Sequence, residues 1–137
     1  MAESGLHTIS ESHPVSDEAS FQGALLEVKR MLQQQGFDSV QSAKFLTAVS
    51  ELARNIIKYA GNGWLELTPL NYLNRTGIQV EAIDFGNGIA NIEQAMQEHF
   101  SSGGTLGQGL PGTRRLVDEF NIKSSSQGTR VTVRSWC

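Results

Sequence analysis

The strongest constraint on this chain is a long helical period that gives way at once to strict alternation. Asp38 and Gln41 have the spacing of a capping box, which predicts a helix from there to about Ala60. Val49, Leu52, Ala53, Ile56 and Ala60 fall on one face of it. Gly61-Asn62-Gly63 ends it. Residues 64–70 (WLELTPL) and 78–84 (IQVEAID) then alternate apolar with polar, so each reads as a half-buried strand, with Asn71 to Gly77 as the connecting turn. A one-faced helix and one-faced strands must lie on each other, so the chain folds in layers.

The flanks extend this pattern. Asp17 or Ser16 caps a helix to about Gln35, with Phe21, Leu25, Val28 and Leu32 on one stripe and Gly36 as its stop. Residues 6–15 carry a weak alternation, and a first strand is expected there. Residues 91–99 read as a short helix capped by Asn91, with Glu93 in its first turn. A glycine-rich stretch covers 101–112. Pro111 suits the first turn of a further helix reaching about Phe120. Strands 120–125 and 129–135 close the chain, joined by Ser126-Gln127-Gly128. Strands and helices do not alternate as a doubly wound sheet requires. The expectation is an α+β, two-layer sandwich: a mixed, mostly antiparallel sheet with helices on one face. No repeat or internal boundary divides the 137 residues, so residues 1–137 read as one domain.

Charge and composition exclude several classes. The net charge is −3 and no Lys/Arg cluster occurs, so neither nucleic acid nor a lipid surface is an expected partner. The single cysteine, Cys137, cannot form an internal disulfide. Met1-Ala2-Glu3-Ser4-Gly5 lacks the basic start and apolar run of a signal peptide. No apolar stretch approaches the roughly 20 residues of a membrane span. A soluble cytoplasmic protein is expected.

Three patches carry chemistry. In the long helix, Glu51 and Asn55 are four apart and stack on one face, with Cβ atoms about 6 Å apart. A carboxylate can take a hydroxyl proton. An amide oxygen one turn away can ligate Mg²⁺. The plain alternative is a solvated face, since Lys44, Thr47, Arg54 and Lys58 lie near. Asp84-Phe85-Gly86-Asn87-Gly88-Ile89 follows a predicted strand. Its glycines allow close approach to a flat ligand. Asp84 needs a donor such as an exocyclic amine, or else simply closes an Asx-type turn. Gly103-Gly104-Thr105-Leu106-Gly107-Gln108-Gly109-Leu110-Pro111-Gly112 runs into a helix, whose free N–H groups suit phosphate. It is no Walker loop, because Gln108 and Leu110 stand where Lys and Ser/Thr are needed. No strand precedes it, which removes the dinucleotide fingerprint. Asp84-Phe85-Gly86 spells a protein-kinase motif in a chain far too short for that fold.

The order of the patches narrows them. An acid and an Asn on a helix, then Asp-x-Gly-x-Gly-Ile, then a glycine-rich helix start, then Gly128-Thr129 before the last strand resembles the GHKL (Bergerat-fold) ATPase superfamily, over residues 50 to 133. Ser50-Glu51-Leu52-Ala53-Arg54-Asn55-Ile56 and Gly109-Leu110-Pro111-Gly112-Thr113-Arg114-Arg115 look most like the RsbT group, the serine/threonine switch kinases of bacterial stressosomes. Gln108 departs from that group, which tends to have Leu there.

The resemblance implies ATP and Mg²⁺ as cofactors. It implies Glu51 as general base, Asn55 as the Mg²⁺ ligand, and Asp84 as acceptor for the adenine amine, with Gly86, Gly88, Ile89 and Thr129 around the base. Gly104, Thr105, Gly107, Gln108, Gly109 and Leu110 would hold phosphates, and residues 90–106 would form a lid that includes Ser101 and Ser102. The implied activity is phosphorylation of STAS-domain proteins of a stressosome-like scaffold, in a stress or sigma-factor switching pathway, with a PP2C-type phosphatase as a further partner. The alternative is a nucleotide-gated binding module, an anti-sigma factor or phosphatase activator, that acts by docking. Retention of both Glu51 and Asn55 favours catalysis, since docking needs only Asp84 and the glycines. A histidine kinase is disfavoured because no dimerising phosphoacceptor helix pair is present. A gyrase- or chaperone-like ATPase is disfavoured because no transducer domain follows.

Overall fold

Both long helices begin on capping boxes: the one expected at Asp38, and a second at Asp17, one of the two cap residues expected for the first helix. The Asp17 carboxylate accepts from the Ser20 N–H at 2.8 Å, and Asp38 accepts from the Gln41 N–H at 2.7 Å. In return Ser20 Oγ and Gln41 Oε1 accept from the two cap N–H groups. The computed structural model describes residues 9–86 and 109–137. In chain order they form β1 (Glu11–Val15), α1 (Glu18–Gln34), α2 (Ser39–Tyr59), β2 (Gly63–Tyr72), β3 (Arg75–Asp84), α3 (Gly109–Arg115), β4 (Glu119–Ser125) and β5 (Gly128–Trp136). Gly36 and Gly61 leave α1 and α2 in the left-handed region, at φ 89° and 88°.

The five strands make one sheet in the order β1-β2-β3-β5-β4, and every pairing is antiparallel. Leu65, Leu67, Ile78, Val80, Ala82, Val131 and Val133 share one face. They are buried in one core with Phe21, Val28 and Leu32 of α1 and Phe45, Val49, Leu52 and Ile56 of α2. The opposite face is polar, with Arg130 paired to Glu81 at 3.1 Å and Arg134 donating to Gln79 at 2.6 Å. The α+β sandwich therefore stands as expected. No helix among the described residues is long and apolar enough to cross a membrane.

Three element boundaries differ from expectation. The first strand starts at Glu11 rather than residue 6. The turn expected over Asn71 to Gly77 shrinks to Leu73 and Asn74, with Leu73 at φ 56°. The longer hairpin is held from outside: Gln35 Nε2 donates to the carbonyls of Leu70 and Gly77, and Thr76 Oγ1 donates to the Gln35 carbonyl. The helix expected to reach Phe120 stops at Arg115, because Phe120 and Ile122 pair with Val133 and Val131 and the sheet claims the chain. The helix expected over 91–99 lies outside the described residues.

Candidate active site

The antiparallel register sets four residues in a row across one end of the sheet. Gly63 of β2 lies opposite Asp84 of β3, Asp84 opposite Thr129 of β5, and Thr129 opposite Ser124 of β4. Asp84 shares its alternation with Ile78, Val80 and Ala82, so it faces the helical layer. The last turns of α2 close over this end. A β-carbon at Gly63 would sit 2.9 Å from Ile56 Cγ2, and one at Gly86 would sit 2.9 Å from the Ala60 β-carbon. Both positions need glycine for the helix to come this near.

Asp84 is half-buried, and its Oδ1 accepts from the Gly86 N–H at 2.9 Å. The Asx-type turn is thus present, and it uses one carboxylate oxygen. The turn aims the strand end and leaves the second oxygen to accept from a ligand donor. Gly128 presses the β4–β5 turn onto this strand. It has φ 141°, and a β-carbon there would lie 2.2 Å from the Asp84 carbonyl oxygen. Thr129 Oγ1 and Ser124 Oγ share a hydrogen bond of 2.7 Å in which either hydroxyl can donate.

Glu51 and Asn55 lie one turn apart on α2, both half-buried. Glu51 Oε1 is fully buried and has no hydrogen-bond partner among the described residues. A buried acceptor left unpaired costs about 1–3 kcal/mol, and more when charged. The neighbours that suggested a merely solvated face behave otherwise. Lys44, Thr47, Arg54 and Lys58 are exposed, and the Arg54 guanidinium lies 4.5 Å from the Phe21 ring centroid. The solvated-face reading fits those four and not Glu51. One turn on from Glu51, Asn55 carries an amide oxygen of the hard kind that Mg²⁺ takes as a ligand.

Gly109 and Leu110 open α3, which packs on α2. Leu110 joins the hydrophobic core, and Pro111, Gly112 and Thr113 are buried with it. The Leu-Pro-Gly segment therefore anchors the C-terminal edge of the glycine-rich stretch to the helix that carries Glu51. Gly88, Ile89, Ser101, Ser102, Gly104, Thr105, Gly107 and Gln108, with the rest of the expected lid over 90–106, lie outside the described residues.

Sequence reasoning missed Gly63, Ala60 and Ser124. Their places depend on strand register and helix docking, and no local motif marks them. It also missed a cluster on β1 and α1, where Glu11, His13 and Glu27 offer ligand atoms within 4.8 Å of one another. Arg30 already occupies that cluster. It donates to both Glu11 oxygens, at 2.7 and 2.9 Å, and to Glu27 at 2.7 Å. These bonds hold the Glu11 carboxyl below its ordinary range, with a smaller contribution from His13.

Comparison with known proteins agrees with this geometry. Residues 15–135 match the family model described as a histidine kinase-like ATPase domain. The chain is also 42% identical over 102 residues to the serine/threonine-protein kinase RsbT of Bacillus subtilis (strain 168), covering 74% of this chain and 77% of that protein.

Proposed function

The chain belongs to the histidine kinase-like ATPase family and, within it, is an RsbT-like protein-serine/threonine kinase; from that premise we propose that it moves the γ-phosphate of ATP to a STAS-domain partner, with Glu51 as general base. The observation that carries the base assignment is the buried Glu51 Oε1, which has no partner among the described residues. A buried acceptor without a protein donor is poised for a donor that arrives with the substrate, and a serine or threonine hydroxyl is such a donor.

The step balances simply. The substrate hydroxyl oxygen forms a bond to the γ-phosphorus, and the bond from that phosphorus to the β–γ bridging oxygen breaks. ADP leaves, and the hydroxyl proton passes to Glu51. Asn55 offers its amide oxygen to Mg²⁺, which when bound neutralises charge on the phosphates. Asp84 keeps Oδ1 on the Gly86 N–H and gives its other oxygen to the adenine amine. Guanine would present an oxo group there, leaving two acceptors face to face. Gly86, Gly88, Ile89 and Thr129 complete the base pocket. Gly104, Thr105, Gly107, Gln108, Gly109 and Leu110 hold the phosphates.

In this reading the whole of 1–137 is one kinase domain that works in the cytoplasm. It switches a bacterial stress or sigma-factor pathway, with stressosome-like STAS proteins as substrates and a PP2C-type phosphatase as a second docking partner. The test uses labelled ATP and purified STAS-domain partners. Glu51→Gln keeps the shape and removes the basicity, so it is expected to bind ATP and partner normally and to lose transfer by about 10²–10⁴-fold. Transfer at the parent rate would remove Glu51 as base. Absence of transfer by the parent protein to any STAS partner, with ATP bound, would hand the function to docking alone.

A further inference from the structure

We infer that Arg54 is a specificity-determining residue for the protein substrate: held over the Phe21 ring beside Glu51, it pairs with a carboxylate that the partner carries next to its serine or threonine. The inference rests on the kinase reading above and deepens it by naming a chemical feature that the substrate presents.

Glu51, Arg54 and Asn55 share one flank of α2 but not one line along it. At about 100° per residue, Asn55 falls about 40° to one side of Glu51 and Arg54 about 60° to the other. In the proposed site Asn55 serves the metal and the phosphates. Transfer is in line, so the acceptor hydroxyl and the departing ADP lie on opposite sides of the γ-phosphorus. The hydroxyl therefore comes to Glu51 from the side that Arg54 borders, and Arg54 meets the incoming protein rather than the nucleotide.

An exposed cation is ordinary by itself. Arg54 is set apart by how it is held and by what it lacks. Arg30, Arg130 and Arg134 each hold a glutamate, whereas no carboxylate among the described residues pairs with Arg54. Its guanidinium carbon lies 4.5 Å from the Phe21 ring centroid, and Phe21, at 1% exposed, is fixed in the core. That contact steadies the head without giving its N–H groups an oxygen. A steadied planar fork fits a carboxylate through two parallel hydrogen bonds and has less freedom left to lose on binding. The whole chain carries −3, so its overall field does not draw acidic partners, and the selection must be local to this flank.

The plain alternative is that the Arg54 stem merely covers Phe21. Arg54→Met keeps an apolar cover and removes the fork, so it separates the two. The assay is steady-state transfer from ATP to a STAS-domain substrate, with ATP affinity measured by calorimetry on the same full chain. Arg54→Met is expected to raise KM for the protein substrate about 10- to 100-fold, the scale of one charged hydrogen bond. It should leave kcat and ATP affinity within about 2-fold and flatten the salt dependence of kcat/KM. Arg54→Lys should recover only part of the loss, since it restores charge without the fork. In the substrate, changing the acidic residue beside the acceptor to its amide should raise KM for the parent by a similar factor and have no further effect on Arg54→Met. Arg54→Gln stands in should Arg54→Met not fold. An unchanged KM, or an equal response of parent and variant to the substrate change, overturns the inference and leaves Arg54 as a cover for Phe21. A loss of ATP affinity overturns it too, by assigning Arg54 to the nucleotide. Failure of the parent itself to transfer phosphate to any STAS-domain partner is a different result: it removes the reading beneath, and the role of Arg54 falls with it.

Discussion

Replacing Gly128 by alanine is the sharpest structural perturbation of the site strand. Gly128 has φ 141°, and a β-carbon there would lie 2.2 Å from the Asp84 carbonyl oxygen, 2.9 Å from Phe85 Cα and 3.1 Å from the Asp84 carbonyl carbon. All three atoms are backbone, so no side chain can swing aside. Two costs add. The backbone conformation costs about 1–3 kcal/mol for a residue with a β-carbon. Overpacking against fixed atoms costs about 1–3 kcal/mol more. Gly36→Ala is the internal control, since Gly36 has φ 89° and nothing within 4 Å of the added carbon. It should cost only the left-handed term, about 1–2 kcal/mol. At roughly 3–4 °C per kcal/mol for a chain of this size, Gly128→Ala is expected to lower Tm by roughly 6–24 °C and Gly36→Ala by roughly 3–8 °C. Thermal and urea unfolding followed by circular dichroism measure both, with equal m-values required for the comparison. Gly128→Ala should also weaken ATP binding, because the clash falls on the residue that carries the acid. Equal midpoints for the two variants would refute the steric argument, and with it the claim that this turn is locked onto β3.

Two further outcomes are expected. Asn55→Ala should keep the fold, as Asn55 is only half-buried, and should lose Mg²⁺-dependent ATP affinity while metal-free binding stays near the parent value; identical titrations with and without Mg²⁺ would remove Asn55 as the ligand. Glu11 is held below its usual 4.5 by Arg30, so its stabilisation is complete above about pH 4.5 and is lost as pH falls through the depressed folded value. Because both side chains are more than a third exposed, the contribution is under about 1 kcal/mol. Glu11→Gln should therefore narrow slightly the gap between urea midpoints at neutral pH and at about pH 3, and an unchanged gap would show that the pair is energetically silent.

What was legible in the sequence was whatever is settled within a few residues. Asp38 caps its helix through Gln41, so that box could be read directly, and Asp17 could be named as one of two candidate caps. Glu51, Asn55 and Asp84 could be named because acid, amide and glycine at those spacings have a chemical meaning. The β2–β3 hairpin could not be sized in this way. Asn71, Asn74 and Gly77 look like one long turn, yet Gly77 is a packing glycine. A β-carbon there would lie 2.7 Å from the Trp136 ring, and Trp136 enters from the far end of the chain. The end of α3 was likewise decided by β5, which pairs with Phe120 and Ile122. Nor did the sequence distinguish the buried oxygen of Glu51 from the exposed charges around it, since helical spacing gives the face and not the depth.

One helix joins the two ends of the candidate site, and that bears on what the ligand can be. Glu51 lies in the middle of α2, while Ala60 at its C-cap touches Gly86 beside Asp84. The two positions are nine residues apart, about 13 Å along a helix axis at 1.5 Å per residue. A ligand that reaches Asn55, one turn from Glu51, at one end and the Asp84 carboxylate at the other must therefore be extended, and it leaves the Glu51 oxygen to a separate donor. It must carry an acceptor-rich end near Asn55 and a flat, donor-bearing end beside the glycines. Inorganic phosphate or a free base would satisfy one end and leave the other empty. A nucleoside triphosphate has both ends and comparable length, which supports the proposal that the row across β3, β5 and β4 and the Glu51–Asn55 flank of α2 are two halves of one site.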